Sequence, residues 1–279
     1  LGTPSGFIGC VGQDELGNGL VQLLQDHNVN AAGVQLHPTA PTRTVYVVRS
    51  QTGDRTFAGF GTHDTTVFAD THLQASQVPA SLFEDAEFLV LGTLELAYPD
   101  SQAAILRALN LADQYYVKIM VDVNWRPVFW KDPAIAPRLI HEVVSRADFL
   151  KLSEEEAEWL YETTDPEVIN HRVDNLEGVL VTAGEKGCAY HLGGNSGKLP
   201  AFPIQAEDTT GAGDSFVAGI LHQFLQQGIR CLTDPDIARE MVRYACATGA
   251  LTALRPGAIA AQPTAAEVEA FLYMHDQPS

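Results

Sequence analysis

From residue 86 onward the chain repeats one rhythm, a short apolar run followed by a longer amphipathic one. "AEFLVLG" leads into "DSQAAILRALNLADQ", "YVKIMVDVN" into "DPAIAPRLIHEVVSRA", and "DFLKLS" into "EEEAEWLYE". The short runs have the make-up of buried strands and the long ones have helical spacing. This alternation predicts an α/β fold: a mostly parallel sheet with helices on both faces and ligands at the carboxyl ends of the strands. The pattern continues through "GVLVTAG" and the short strands "CAYHL" and "KLPAF", joined by the turn "LGGNSG". Three helices come next, over about 212–227, 235–253 and 264–275.

The front of the chain differs. "GFIGCVG" (6–12) reads as a buried strand, and Asp14 stands where an N-cap belongs, ahead of "ELGNGLVQLLQDH". Between 41 and 61, "TRTVYVVRS", the turn "QTGD" and "RTFAGF" predict a β-hairpin, a small sheet attached to the main body. With no repeat, low-complexity tract or clear linker, 1–279 is expected to be one domain.

Charge and composition exclude several function classes. Thirty-five acids against 17 bases give a net charge of −18, which repels nucleic acid and anionic membranes. A phosphate ligand would therefore need a few placed groups rather than a basic field. No run of 18 apolar residues exists, and the start "LGTPSGFIGCVG" has no basic leader pattern. Four scattered cysteines without C-x-x-C argue against disulfides or zinc and suit a reducing, cytoplasmic location. The nine histidines show no ligand spacing.

The chemistry concentrates in "EDTTGAGDSFVAGI" (207–220). A strand-like segment turns through Gly211, Ala212 and Gly213 into an apolar helix, so open N–H groups and the positive end of the helix dipole face whatever binds there. The Walker A pattern is absent. Asp214 inside such a cradle has two readings. It is a helix-start acid, or it is a base that takes a proton from a hydroxyl while the turn stabilises the group under attack.

The string D-T-T-G-A-G-D-S-F-V-A-G-I resembles, position for position, the C-terminal signature of the ribokinase-like (PfkB) carbohydrate kinases. The resemblance implies a three-layer αβα sandwich with a small β lid, Asp214 as catalytic base, and Gly211, Ala212 and Gly213 as the anion hole. "VTAGEKG" (181–187) looks like the family's nucleotide-binding strand-turn, which implies ATP contacts at Thr182, Gly184 and Gly187. "KLSEEEAEWL" (151–160) is similar to its N-x-x-E segment with Ser153 in the Asn place, as in fructokinases, and implies that Glu156 holds the water shell of Mg²⁺. A helix N-terminus favours acids in any case.

"DVNWRPVFW" (122–130) resembles the D-x-N-x-R stretch of fructokinases and 2-keto-3-deoxygluconate kinases, implying Asn124 and Arg126 as phosphate or substrate contacts. A salt bridge in a loop is the other reading of Arg126. "YACATGALTALRPGAIAAQPT" (244–264) looks like the family's C-terminal segment. It implies Ala247 and Gly249 near adenine, and Asp208, Thr210 and Gly257 as K⁺ contacts, although small residues here also suit close helix packing. The hairpin corresponds to the sugar-covering lid, placed within about 31–61, with Thr42, Arg43 and Tyr46 as candidates to face the substrate. In this family the lid also makes a dimer contact, which implies a homodimer.

The family pattern begins with a strand carrying a sugar-binding aspartate and a helix opened by Gly-Gly-x-x-x-N; "LGTPSGFIGCVGQDELG" matches the segment after that helix. The resemblance implies an ATP-dependent sugar kinase most similar to fructokinases. The other acceptors are 2-keto-3-deoxygluconate, ribose or a nucleoside, the last two disfavoured by D-x-N-x-R. From another class, the alternative is a non-catalytic member serving as a binding scaffold.

Overall fold

Local chemistry sets the boundaries of the first elements. In the computed structural model, which describes residues 1–49, 55–60 and 64–276, the order begins β1 (Gly6–Gly12), α1 (Glu15–Asp26), β2 (Asn30–His37), β3 (Tyr46–Arg49), β4 (Arg55–Gly59), β5 (Phe88–Leu91) and α2 (Pro99–Tyr115). It continues β6 (Lys118–Asp122), α3 (Ala136–Val144), β7 (Phe149–Ser153), α4 (Glu154–Tyr161), α5 (Pro166–Arg172), β8 (Gly178–Thr182), β9 (Cys188–Leu192) and β10 (Asn195–Leu199). Helices α6 (Ala212–Gln227), α7 (Pro235–Ala253) and α8 (Ala265–Asp276) complete it. The described residues fall into two compact units, one of Pro4–Ile119 with Trp125–Arg146, the other of Leu1–Thr3, Met120–Asn124 and Ala147–Ser279.

In the first unit β1 lies parallel to β2. Asp14 is the N-cap of α1, its Oδ1 accepting from Gly17 N–H at 2.7 Å. The same carboxylate accepts from the Thr42 hydroxyl at 2.6 Å and Thr42 N–H at 2.7 Å, so one residue fixes both the helix start and the segment that leads to the hairpin. These bonds, the Thr42 hydroxyl first, hold the Asp14 carboxyl below its usual range. Strands β3 and β4 pair antiparallel, as the hairpin pattern predicts; the "QTGD" turn between them lies outside the described residues. Residues 30–37 form β2, so only the later part of the 31–61 span is hairpin. Arg43 donates from Nε to Asp70 Oδ2 at 2.6 Å. Its guanidinium stands 4.6 to 5.7 Å from the ring centres of Phe60, Phe68, Tyr98 and Phe129. A cavity of about 270 Å³ opens beside Asp14, Thr42, Thr44, Tyr46, Phe60 and Phe68.

The second unit is built on strands side by side in the order β10-β9-β8-β7-β6. Strands β6, β7 and β8 run parallel, and β9 is antiparallel both to β8 and to β10. Val121, Phe149, Leu150, Leu152, Val179 and Leu180 are fully buried, as expected for strands covered on both faces. The hairpin turn explains a shift from expectation. Gly193 and Gly194 both take positive φ, 55° and 86°, the two-residue turn that pairs Leu192 with Asn195. Strand β10 therefore begins at Asn195 instead of Lys198. Phe149 packs on Phe224 of α6, ring centres 4.8 Å apart. Val268 and Phe271 of α8 pack with Tyr244, Ala247 and Leu251 of α7. The fold is thus α/β, with helices on a sheet whose central strands are parallel.

Candidate active site

The segment from 207 to 214 makes a knot of backbone and carboxylate bonds before α6 starts. Asp208, 4% exposed, accepts from Thr210 N–H through Oδ1 at 3.0 Å and from Gly257 N–H through Oδ2 at 2.8 Å. The N–H groups of Glu207 and Asp208 both donate to Ala253 O. Asp208, Thr210 and Gly257, set apart by the sequence as cation contacts, are therefore one cluster, formed where the turn meets the loop after α7.

Gly211 is the N-cap of α6 with φ of 79°, and a Cβ there would come within 3.1 Å of Ala258 Cβ. The positive φ favours glycine, and the close approach leaves little room for a side chain. No side chain caps this helix. Ala212 N–H donates to Thr209 O at 3.2 Å and Ser215 N–H to Gly211 O at 2.8 Å. Among the described residues no hydrogen bond takes up the N–H of Gly213 or Asp214, and both residues are exposed. The N–H of Gly211 has no acceptor among the described residues either, so of the three amides expected to form the anion hole only that of Ala212 is taken up, and the open donors at this turn are those of Gly211, Gly213 and Asp214, next to the Asp214 carboxylate. That combination can hold an anion and accept a proton at one place.

Carboxylates and one lysine stand close by. Asp122, the last residue of β6, faces Lys151 of β7 in register, and Lys151 Nζ donates to its Oδ1 at 3.0 Å. The Asp122 carboxyl is pushed up to about 6: burial, the largest cause, and the charges of Glu156 and Asp214 raise it, while Lys151 draws it down. Sequence reasoning assigned neither residue of this pair. The signal was there: a lysine inside "FLKL" and an aspartate closing "IMVD" are charges inside otherwise apolar strands.

The other candidates occupy places of differing character. Ser153 and Glu156 form a capping box at the start of α4: Glu156 N–H donates to Ser153 Oγ at 3.1 Å, and Ser153 N–H to Glu156 Oε2 at 2.7 Å. One Glu156 oxygen is thus committed to the helix. Thr182 ends β8, beside Ser153 in register, and its hydroxyl donates to Leu152 O at 3.3 Å. Gly184 and Gly187 take positive φ, 54° and 101°, and a Cβ on Gly187 would stand 2.0 Å from Leu199 O. Ala247 is fully buried in the α7–α8 core. Gly249 lets α7 approach the first turn of α6, since its Cβ would stand 2.9 Å from Ala212 O.

Asn124 lies just beyond β6 with φ of 43°. Arg126 belongs to the first unit, is exposed, and donates from Nη1 to the neighbouring Trp125 O at 2.8 Å. The rings of Trp125 and Trp130 lie 5.5 Å apart and pack on each other. No helix among the described residues is long and apolar enough to cross a membrane.

Comparison with known proteins agrees with this geometry. The family model of the pfkB carbohydrate kinases matches residues 1–265. Over 268 residues the chain is 35% identical to Arabidopsis thaliana "Probable fructokinase-6, chloroplastic", covering 95% of this chain and 68% of that protein. Among solved structures, fructokinase with bound ATP from Xylella fastidiosa superposes with a TM-score of 0.89 at 26% identity, covering 99% of this chain and 87% of that one. A double mutant of Vibrio cholerae O395 fructokinase, in its fructose, ADP and potassium ion bound form, gives 0.82 at 28% identity over 96% and 84% of the two chains. A glycine-opened helix start carrying an exposed aspartate, on a ribokinase-like fold matched along nearly the whole chain, goes with the family match: the chain is a sugar phosphotransferase that belongs to the pfkB family of carbohydrate kinases.

Proposed function

We propose that this kinase is a fructokinase, moving the γ-phosphoryl group of ATP to the primary hydroxyl that yields fructose 6-phosphate. The observation that carries the reading is the exposed Asp214 carboxylate beside open N–H groups, those of Gly211, Gly213 and Asp214 itself. Asp214 accepts the hydroxyl proton as the sugar oxygen forms its bond to phosphorus. The bond from phosphorus to the ADP oxygen breaks, and the proton ends on Asp214. The turn amides hold the anionic oxygens of the moving group, where donors fixed in advance stabilise developing charge. The Thr182–Gly187 turn and the α7 face bearing Gly249 are the places assigned to the nucleotide. Fructose is the preferred acceptor because the relatives at 30% identity or more, such as the Arabidopsis thaliana protein, carry the name fructokinase, as do the structures from Xylella fastidiosa and Vibrio cholerae.

Mg²⁺ fits as a hydrated ion. Among the described residues no three His, Cys, Asp or Glu side chains converge as direct ligands. Glu156 already gives one oxygen to Ser153 N–H, which leaves it a place in the outer shell. Bound to the nucleotide phosphates, the ion would neutralise part of their charge. For K⁺, the candidates carried by the sequence are Asp208, Thr210 and Gly257; both Asp208 oxygens already accept backbone N–H groups, from Thr210 and Gly257, so the cluster as it stands is closed around its own donors and is not an oxygen cage for a cation.

The test is ADP release in a coupled assay with fructose, ribose and 2-keto-3-deoxygluconate, in parallel with Asp214→Asn. Sugar-dependent ADP release, greatest with fructose and lost in the variant, is the expected result. Release that is highest with another acceptor moves the substrate assignment. A wild type inert with every sugar removes the kinase reading of this chain in favour of the scaffold one.

A further inference from the structure

Two charged residues lie inside the hydrophobic strands of the second unit, and proton transfer to Asp214 gives Lys151 no task. Its neighbours in the chain, Leu150 and Leu152, are fully buried, and Lys151 itself is 6% exposed. Side chains alternate along a strand, so Phe149 and Lys151 share a face. Phe149 packs on Phe224 of α6, so this is the face that α6 covers. Two residues further along, towards the carboxyl end of β7, the lysine reaches the first turn of the same helix. A Cβ built on Gly213 would lie 3.5 Å from Lys151 Nζ, the one atom within 4 Å of that point outside Gly213's chain neighbours and the backbone of its own helix turn. The ammonium therefore stands beside Gly213, within the turn whose N–H groups are open.

A buried ion pair is a poor way to gain stability, because desolvation offsets most of its attraction, and apolar residues of the same volume serve as well. What the pair does supply is a charge held in place. Lys151 gives one N–H to Asp122, whereas an ammonium has three to donate. The charges of Glu156 and Asp214 both act on the Asp122 carboxyl. An anion approaching such a group, on a chain of net charge −18, needs a local cation.

We propose that Lys151 is a positioning residue of the phosphoryl-transfer site: held by Asp122, its ammonium stands beside the Gly211–Asp214 turn and supplies the positive charge that an anion docked there requires. The inference rests on the kinase reading only for its kinetic consequence. The anion contact itself is independent of which sugar, if any, is phosphorylated.

Two measurements test it on the full chain. The first is the thermal shift produced by inorganic phosphate and by ATP in the wild type, in Lys151→Met and in Lys151→Arg. The second is turnover with fructose, separating kcat from KM for ATP. The expected result is a phosphate-induced shift lost in Lys151→Met and retained in Lys151→Arg. Turnover should fall at least tenfold in kcat with KM for ATP changed less than threefold, and recover in part with arginine. Lys151→Met leaves Asp122 buried without its partner, so Asp122→Asn/Lys151→Met, which removes both charges, is measured beside it. If the double variant regains wild-type turnover and phosphate shift, the loss came from the orphaned carboxyl and the proposal is overturned. It is likewise overturned if Lys151→Met alone keeps both. If the wild type transfers phosphate to no sugar but shows a phosphate shift that depends on Lys151, the anion role stands and the kinase reading falls.

Discussion

Asp208 and Gly257, 49 residues apart in the chain, are joined by a 2.8 Å hydrogen bond from Gly257 N–H to Asp208 Oδ2. The other oxygen of that buried carboxylate takes Thr210 N–H, so one side chain ties the turn before α6 to the loop after α7. Asp208→Ala leaves both N–H groups without their acceptor and should cost about 1–3 kcal/mol. Asp208→Asn, which keeps an acceptor oxygen, should lose less. Urea denaturation monitored by far-UV circular dichroism measures both.

Asp214→Asn keeps the size and shape of the side chain but removes its ability to take a proton. Because Asp214 is exposed and its position is set by the backbone of α6, the fold should be unaffected. Turnover should drop by at least about 10²-fold, with ATP binding measured by calorimetry unchanged within a few-fold. A variant that turns over near the wild-type rate would show that the proton leaves by another route.

Much of this was legible in the sequence because it is local. The Asp14 cap and the glycine turn before α6 are each fixed by a few adjacent residues, and both lie where their patterns are; the capping box of Ser153 and Glu156 has the same local character but was not read from the sequence. Strand β2 was not anticipated: "NAAGVQLH" has an Ala-Ala-Gly centre with little strand character of its own, and its conformation comes from pairing with β1. The short helix α5 depends on Asp165 as cap and on Pro166, too little pattern to stand out in seven residues. The site divides the same way. Asp214 and the turn were readable, but which amides remain open depends on Thr209 O taking Ala212 N–H, a matter of turn geometry. The Lys151–Asp122 pair needs the register of two strands, which no single segment carries.

That pair makes stability depend on pH with a definite sign. The Asp122 carboxyl is raised from 3.8 to about 6, chiefly by burial and against the pull of Lys151. The folded chain then keeps this proton at pH values where the unfolded chain has lost it. Its contribution is therefore greatest below about pH 4 and declines as pH rises through about 6, by on the order of 3 kcal/mol. Asp122→Asn, which cannot ionise, should lack this decline, and the difference between the two denaturation curves from pH 4 to 8 isolates it from the other carboxylates. Lys151→Met removes the charge and hydrogen bond that draw the group down, so the decline should move to higher pH. A difference curve that is flat over this range would show that Asp122 ionises as an ordinary surface acid.

Close packing at the turn yields a test that separates shape from charge. A Cβ on Gly249 would stand 2.9 Å from Ala212 O and 3.7 Å from Phe216 Cβ. Alanine is preferred to glycine inside a helix by about 1 kcal/mol, and at Gly19 of α1, where nothing lies within 4 Å, that gain should appear as added stability. At Gly249 the same substitution has to displace a backbone oxygen of the first turn of α6. Overpacking of this kind costs about 1–3 kcal/mol, so Gly249→Ala should lower the midpoint of denaturation where Gly19→Ala raises it. The displaced oxygen belongs to the residue just ahead of Gly213 and Asp214, so the open amides move with it. Turnover should therefore fall by more than the stability change alone accounts for when both are measured well below the melting temperature. Equal stability gains for the two variants would mean that α7 retreats from the turn without cost, and that Gly249 serves neither the packing nor the geometry of the site.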